Sequence, residues 1–326
     1  MRTMLLNIVQ GVNETLRGEM RRNADVVLLG EDIGRNGGVF RATAGLLDEF
    51  GSERVIDTPI AEDGIIGMAI GMSLYGLEPV VEIQFLDFIY PGFNQIVSEL
   101  AKIRYRSGGH YPAHVVIRAP SGGGIKGGLY HSQSTEAYFT HTPGLLVATP
   151  STPYDTMGLL RTAIRGSDPV IFLEPKRVYR TVKEELPEDD YAIPFGEAKV
   201  MQEGGDVTLV SWGAMVHTCK SAAELAAKEN ISVELIDMRT LMPFDMETVL
   251  ASVRKTGRVV IAHEATKISG FGGEIAAQIS ERAIDSLEAP IIRSAGFDTP
   301  FPYALEGTYL PSPERVLRSI RKSAGY

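Results

Sequence analysis

Short apolar segments alternate along the chain with longer segments in which apolar residues recur every three or four positions. The short segments are continuously apolar, which is typical of parallel strands buried on both faces. The longer segments have the spacing of helices that bury one face. This alternation predicts an α/β fold with mainly parallel sheets covered by helices. We predict strands at residues 26–29, 79–85, 114–118, 145–149 and 169–173, and helices at 4–20, 62–75, 93–105 and 153–165.

A change of composition divides the chain after its middle. Residues 181–198 are charged and contain Pro187 and Pro194, as is typical of a connection between domains. We therefore predict a first domain at residues 1–185, a linker at 186–200 and a second α/β domain at 201–326. In the second domain the pattern predicts strands at 207–211, 233–236, 258–262 and 291–294, and helices at 215–228, 245–254, 273–287 and 313–323.

Charge and composition exclude several classes of protein. The net charge of −9 leaves no excess of Lys and Arg to neutralise nucleic-acid phosphates. The most apolar segment, residues 64–77, is shorter than the roughly 20 residues that a membrane-spanning helix needs. Cys219 is the one cysteine, so no internal disulfide forms. With no targeting segment apparent, we expect a cytoplasmic protein that binds neither nucleic acid nor a membrane.

Two acidic residues at the start of a predicted helix are the first candidate site. Glu62 and Asp63 precede a run of mostly apolar residues that contains Gly64, Gly67 and Gly71. Acids favour a helix N-terminus, where free N–H groups stabilise them. Both residues could therefore do no more than stabilise the start of this helix. Alternatively, one carboxylate projects into an apolar cleft and hydrogen-bonds a ligand nitrogen. The residues alone leave both interpretations open.

A glycine-rich loop at residues 122–128 is the second candidate. It follows the predicted strand 114–118, and sites in parallel sheets gather at the carboxyl ends of strands. His131 and His141 follow the loop, and histidine suits proton transfer near neutral pH. An exposed histidine without a role is the alternative for each. No third ligand has the spacing that a metal site requires.

Six longer segments resemble one family closely. They are GEDIGRNGGVFRATAGL (30–46), the run that begins DTPIAEDGIIGMAIG (57–109), LYHSQSTEAYFTHTPGL (129–145), DPVIFLEPKRVYR (168–180), IDMRTLMPFD (236–245) and GFDTPFPY (296–303). Together they resemble the beta subunit of the decarboxylating component of 2-oxo acid dehydrogenase complexes, and the branched-chain type most of all. The resemblance implies a thiamine-diphosphate-binding (pyrimidine) domain with a parallel sheet, followed by a transketolase C-terminal-type α/β domain.

The resemblance also implies roles for individual residues. Glu62 matches the glutamate that hydrogen-bonds the pyrimidine ring of thiamine diphosphate and so activates it. His131 matches the catalytic histidine that transfers a proton during reductive acylation of the lipoyl group. Gln84, Phe88 and Ile60 match positions beside the cofactor. Phe88 stands where branched-chain members carry tyrosine, so a hydrogen bond from that hydroxyl is not expected here.

Metals and partner chains follow from the same resemblance. The alpha subunit of the family holds the diphosphate and magnesium through a Gly-Asp-Gly motif followed by paired asparagines, and neither is present in this sequence. We therefore expect an alpha subunit to supply them. A potassium loop found in some members matches Ala163, Gly166 and Asp168, of which the last two depart from the expected Asp and Asn.

The C-terminal helices resemble the region that pairs two beta subunits and docks the basic binding domain of the lipoyl acyltransferase core. The candidate acidic contacts are Glu281, Asp285, Glu288 and the terminal carboxylate of Tyr326. A solvated acidic face is the alternative.

The reaction implied by the resemblance is the oxidative decarboxylation of branched-chain 2-oxo acids, with pyruvate or acetoin as alternative substrates. Two other classes compete with it. A single-chain thiamine enzyme is opposed by the missing diphosphate motif and by the short chain. A non-catalytic assembly subunit is opposed by the presence of Glu62, Gln84 and His131.

Overall fold

The computed structural model describes residues 3–187 and 189–326. Within them the strands are β1 (Thr3–Asn7), β2 (Val26–Gly30), β3 (Val55–Asp57), β4 (Glu78–Glu82), β5 (Val116–Ser121), β6 (Leu146–Ala148), β7 (Val170–Pro175), β8 (Lys183–Pro187), β9 (Lys199–Gln202), β10 (Val207–Ser211), β11 (Val233–Asp237), β12 (Thr240–Met242), β13 (Val259–Thr266) and β14 (Ile292–Gly296). The helices are α1 (Ile8–Arg22), α2 (Leu46–Phe50), α3 (Glu62–Leu74), α4 (Ala101–Arg106), α5 (Glu136–Thr140), α6 (Pro153–Arg165), α7 (Met215–Ala227), α8 (Met246–Thr256), α9 (Gly272–Ala283), α10 (Glu306–Tyr309) and α11 (Pro313–Ala324). None of the helices in this described part is long and apolar enough to cross a membrane.

The larger sheet has the order β12-β6-β7-β5-β4-β2-β3. Its strands are parallel except β12, which pairs antiparallel with β6 at one edge. The interior strands β2 and β7 are buried along their whole length, because helices cover both faces of the sheet. The predicted α/β fold is confirmed.

The second sheet has the order β14-β13-β10-β11-β9, with β9 the one antiparallel strand. Helices α7 and α11 pack on one face, and α8 and α9 pack on the other. Cys219 of α7 is fully buried, and burial raises the pKa of its thiol to about 12. It is therefore an inert core residue.

The first residues of the chain form a strand where the pattern predicts a helix. The prediction of helix 4–20 is wrong at its start, because β1 pairs antiparallel with β8, with Leu5 opposite Glu185. Helix α1 begins after Asn7, whose side chain accepts a hydrogen bond from the Gln10 N–H at 2.9 Å. Strands also enter both ends of the predicted linker 186–200, since β8 ends at Pro187 and β9 begins at Lys199.

A segment of the second half of the chain returns to the first sheet. Thr240 of β12 lies opposite Ala148 of β6. Beside it, the Arg239 guanidinium pairs with the buried Asp155 carboxylate at 2.6 Å, and the Ser151 hydroxyl donates to Asp237 at 2.5 Å. Strand pairing and buried polar contacts therefore join the two sheets firmly.

A buried ion cluster spans the middle of the larger sheet. Arg118 of β5 is 2% exposed and donates to Glu174 of β7 at 2.7 and 3.0 Å. It also donates to Glu82 of β4 at 3.0 Å. The Tyr179 hydroxyl donates to the same Glu174 carboxylate. Burial raises the pKa of Glu82, and the positive charge of Arg118 opposes this rise.

Replacing Arg118 with methionine should destabilise the chain strongly. The change leaves Glu82 and Glu174 buried without their cation, which typically costs about 3–5 kcal/mol of the free energy of unfolding. Urea denaturation of the purified chain measures this loss. The matched control is Arg104→Met, which removes a half-exposed pair with Asp168 and should cost at most about 1 kcal/mol. Equal losses in the two variants would contradict a special role for the buried cluster.

Candidate functional site

The candidate site lies along one edge of the larger sheet, where its parallel strands end. Gly30 of β2 lies opposite Asp57 of β3 and Glu82 of β4. Ser121 of β5 lies opposite Pro175 of β7. We call this the carboxyl edge. The segments that leave it carry the predicted site residues, as expected for a parallel sheet.

Glu62 is the first residue of α3 and is 9% exposed. Gly92 packs against its main chain, since a Cβ atom there would lie 3.0 Å from the Glu62 carbonyl oxygen. None of the side-chain hydrogen bonds and ion pairs found in the described residues involves the Glu62 carboxylate. A helix-start acid with no other role is usually well exposed, so a buried acid without a partner fits the ligand-binding interpretation better.

A second acid, which the sequence analysis missed, lies beside Glu62. Glu31 directly follows β2 and is also 9% exposed. Burial raises the pKa of Glu31, and the neighbouring charges of Glu62 and Asp32 raise it further. The available signal was an acid placed directly after a buried strand at the carboxyl edge.

Two aromatic rings contact the predicted catalytic histidine. The His131 ring meets Phe85 edge to face at 4.6 Å between centroids, and Phe88 at 5.2 Å. The Asp87 carboxylate accepts the backbone N–H groups of Ser132 and Gln133 at 3.2 and 3.1 Å, which fixes the chain directly after His131. The structure therefore brings His131 and Phe88 together, and it adds Phe85 and Asp87, to which the sequence analysis assigned no role.

The remaining predicted residues differ in their surroundings. Gln84 is partly buried between β4 and the short 3-10 helix Leu86–Phe88. Ile60 is 82% exposed although it lies two residues before the buried Glu62. His141 is exposed at the end of α5, which fits the alternative that it is a surface histidine without a catalytic role.

Side chains of the second domain bind the glycine-rich loop of the first domain, at residues 122–128. Glu264 of β13 accepts the backbone N–H of Gly123 at 3.0 Å. Glu306 of α10 accepts that of Lys126 at 3.1 and 3.2 Å. A Cβ atom at Gly123 would lie 2.6 Å from the Phe301 ring, so glycine allows this approach without a shift of the ring. The loop is thus shaped by residues more than a hundred positions away.

An open cavity of about 370 Å³ lies between the two domains beside this loop. Its wall in the first domain includes Tyr130, Gln133 and Tyr138. Its wall in the second domain includes Glu264 and Phe301. The cavity therefore gives solvent and small solutes access to the segment that follows His131.

Side chains of the protein already contact the predicted potassium loop. Ala163 is buried in α6, and Gly166 directly follows that helix. The Asp168 carboxylate pairs with Arg104, and the His114 Nε2 atom lies 2.5 Å from the Ile164 carbonyl oxygen. A cation at this loop would have to displace these contacts, and no cluster of three or more potential metal-ligating side chains occurs in residues 3–187 and 189–326. Potassium stays a prediction.

Replacing Gly122 with alanine should release the glycine-rich loop. Gly122 has a φ of +82°, and an added Cβ would lie 2.5 Å from the Glu264 Oε2 atom. Such strain costs of the order of 1–3 kcal/mol, so we expect faster amide hydrogen exchange at residues 122–133 by mass spectrometry. Gly205→Ala is the control, because nothing lies within 4 Å of a Cβ at that position. Unchanged exchange in the Gly122 variant would show that Glu264 does not hold the loop.

Comparisons with known proteins agree with this architecture. The chain matches the family model of the transketolase pyrimidine binding domain at residues 6–182 and that of the transketolase C-terminal domain at residues 196–316. It is 48% identical to the 2-oxoisovalerate dehydrogenase subunit beta of Bacillus subtilis (strain 168), and the match covers 99% of each chain. It is 47% identical to the pyruvate dehydrogenase E1 component subunit beta of Staphylococcus epidermidis, over 97% of this chain and 98% of that one.

A solved structure shares both domains. It is a split gene transketolase, described as an inactive beta4 tetramer, with a TM-score of 0.79, 25% sequence identity and 98% of each chain covered. The near-complete matches to dehydrogenase beta subunits and the two transketolase domains lead to one conclusion. The chain belongs to the family of 2-oxo acid dehydrogenase beta subunits.

Proposed function

We propose that this chain is the beta subunit of a 2-oxo acid dehydrogenase that oxidatively decarboxylates branched-chain 2-oxo acids and acylates the lipoyl group of an acyltransferase. It binds the pyrimidine end of thiamine diphosphate, and an alpha subunit binds the diphosphate end. The observation that carries this proposal is the buried Glu62 carboxylate, which has no hydrogen-bond or ion-pair partner among the described residues.

The side chains at the carboxyl edge fit an aminopyrimidine ring. Glu62 offers a carboxyl group to a ring nitrogen, and the partly buried Phe88 offers an aromatic surface for packing. The apolar Ile60 side chain is 82% exposed, so covering it with a ligand or a partner would remove apolar surface from water and favour binding. When bound, thiamine diphosphate supplies a stabilised carbanion, which no amino-acid side chain provides.

Glu62 would hold a proton between its carboxyl oxygen and the pyrimidine nitrogen. Because only 9% of Glu62 is exposed, this hydrogen bond would be stronger than one at the open surface. The raised pKa of Glu31 means that this neighbour stays protonated to a higher pH than an exposed glutamate.

His131 would exchange a proton with the acyl acceptor. Its contacts with Phe85 and Phe88 fix the plane of the imidazole, and Asp87 fixes the backbone after it. A proton-transfer group must be held in place to be effective, and these contacts supply that restraint. Gln84 lies in the segment that follows β4 at the carboxyl edge, and its side chain would provide an amide beside the cofactor.

We assign magnesium and the diphosphate to the alpha subunit, because the sequence of this chain lacks the motif for them. The split gene transketolase offers a parallel, since that beta4 assembly is described as inactive. The exposed Ile60 fits a surface that an alpha subunit covers.

The end of α9 is our proposed contact with a second beta subunit and an acyltransferase core. Glu281 and Asp285 are exposed there, next to Ile284, which is 62% exposed. Glu288 is exposed and pairs with Arg258 at 2.5 Å, whereas Tyr326 is 63% exposed at the chain end. An apolar residue flanked by acids suits a partner surface with apolar and basic groups.

The branched-chain substrate is proposed from the relative named for 2-oxoisovalerate, and pyruvate is the alternative because a pyruvate dehydrogenase subunit is almost equally similar. Pockets discriminate single methylene groups by only about 1–3 kcal/mol, so we expect a preference rather than strict exclusion.

Replacing Glu62 with glutamine should abolish most activity of the reconstituted enzyme. We expect kcat to fall by about 10²–10⁴-fold, because the amide cannot hold the transferable proton. The assay is dye-coupled decarboxylation of 2-oxoisovalerate and pyruvate with the alpha subunit, thiamine diphosphate and magnesium. Asp63→Asn, a change at the exposed neighbour on the same helical turn, is the control and should retain activity. Full activity of the Glu62 variant would exclude the proposed role.

A further inference from the structure

An arginine of the first domain reaches into the second domain at the carboxyl edge. Arg177 lies in the short 3-10 helix that directly follows β7, and its side chain is 24% exposed. Its Nη2 atom lies 3.0 Å from the Glu264 Oε1 atom of β13. The same nitrogen donates to the Ala214 carbonyl oxygen at 3.1 Å and to the Thr218 hydroxyl at 3.2 Å. Arg177 therefore contacts two elements of the second domain, β13 and α7.

Helix α7 alone does not account for this arginine. Ala214 directly precedes α7 and Thr218 is its fourth residue, so the guanidinium lies at the positive end of the helix dipole. Acids stabilise this end of a helix, and cations stabilise the other end. The Glu264 carboxylate is 9% exposed, and a buried carboxylate needs a cation beside it. The ion pair with Glu264 is therefore the contact that favours a cation at this place.

Both members of this ion pair contact the glycine-rich loop. The second oxygen of Glu264, Oε2, accepts the Gly123 N–H at 3.0 Å, so one carboxylate bridges Arg177 and the loop backbone. Gly124 packs against the stem of Arg177, since a Cβ atom at Gly124 would lie 2.5 Å from the Arg177 Cγ atom. Arg177 therefore restrains the loop through its charge and also through its stem.

The loop in turn contacts His131. A Cβ atom at Gly127 would lie 2.5 Å from the His131 Cβ atom, so the end of the loop packs directly against this histidine. At the start of the loop, the Gly122 N–H donates to the Gln133 carbonyl oxygen at 2.9 Å, which joins the loop to the segment after His131. Glycine is conformationally free, so a loop with this many glycines needs outside contacts to keep one conformation.

We propose that Arg177 is a positioning residue for His131, because its ion pair with Glu264 and its packing against Gly124 hold the glycine-rich loop against that histidine. The hold on the loop stands on the contacts alone, whereas its effect on lipoyl acylation rests on the proposed function of His131. An arginine that only fixed α7 would leave the loop unaffected when it is replaced.

The test compares Arg177→Met with Arg177→Lys in the full chain and in the enzyme assembled with its alpha subunit, thiamine diphosphate and magnesium. Methionine keeps an unbranched stem without the charge, and lysine keeps the charge on a single nitrogen. In Arg177→Met, amide hydrogen exchange at residues 122–133 should speed up. The kcat for lipoyl acylation should fall by roughly tenfold to a hundredfold, because His131 is displaced. Arg177→Lys should restore most of both.

Dye-coupled decarboxylation separates positioning from a general structural role. It needs no transfer of the acyl group to a lipoyl group, so it should change little in Arg177→Met. The matched control is Arg17→Met, because Arg17 is 20% exposed and also pairs with a glutamate of another element, Glu49. None of the contacts of Arg17 found in the described residues involves the glycine-rich loop. This control should leave exchange at residues 122–133 and acylation unchanged.

Unchanged exchange at residues 122–133 in Arg177→Met would overturn the proposal. Faster exchange with equal losses in both assays would overturn the positioning role, because it would show a general structural role instead. Faster exchange with normal acylation would support the hold on the loop and overturn its link to His131. If the assembly with the unaltered chain acylates no lipoyl group, the proposed function fails, and the exchange measurement still decides the hold on the loop.

A second variant replaces the first if Arg177→Met does not fold. In Glu264→Gln the amide can still accept the Gly123 N–H, but it no longer forms an ion pair with Arg177. Faster exchange centred on residue 123 then supports the proposal, and unchanged exchange there overturns it.

Discussion

The ion cluster of Arg118, Glu82 and Glu174 is the constraint on which the site depends. It ties three adjacent parallel strands together near the points where they end. The segments that leave two of these strands carry Gln84 and the glycine-rich loop. A buried ion pair adds little net stability, but it fixes position, because a shift of one strand would leave a buried charge unpaired. The register of the carboxyl edge is thereby set before any ligand binds.

The second domain completes the site instead of merely following it. Glu264 and Glu306 reach across to the loop that precedes His131, and β12 extends the first sheet. One hydrophobic core cluster contains buried residues of both domains, among them Phe139 and Leu241. These contacts explain why the loop can be so rich in glycine and still have one conformation. Its backbone is held by side chains that the local sequence does not contain.

The α/β fold was predictable because its central strands are apolar on both faces, as in β2 and β7. The strand character of β1 was not, because it depends on pairing with β8, about 180 residues away. At the site, the residues alone suggested Glu62 and His131, but each could also have been a residue without a catalytic role. The family resemblance supplied their roles. Glu31 was missed because its significance comes from burial beside other charges, which spacing along the chain does not reveal.

A titration tests the division of the cofactor between two chains most directly. Thiamine diphosphate with magnesium is titrated calorimetrically into the purified chain, and then into the chain assembled with its alpha subunit. We predict no saturable binding by the chain alone and saturable binding, one cofactor per alpha-beta pair, by the assembly. Saturable binding of cofactor and magnesium by this chain alone would contradict a site shared between two subunits.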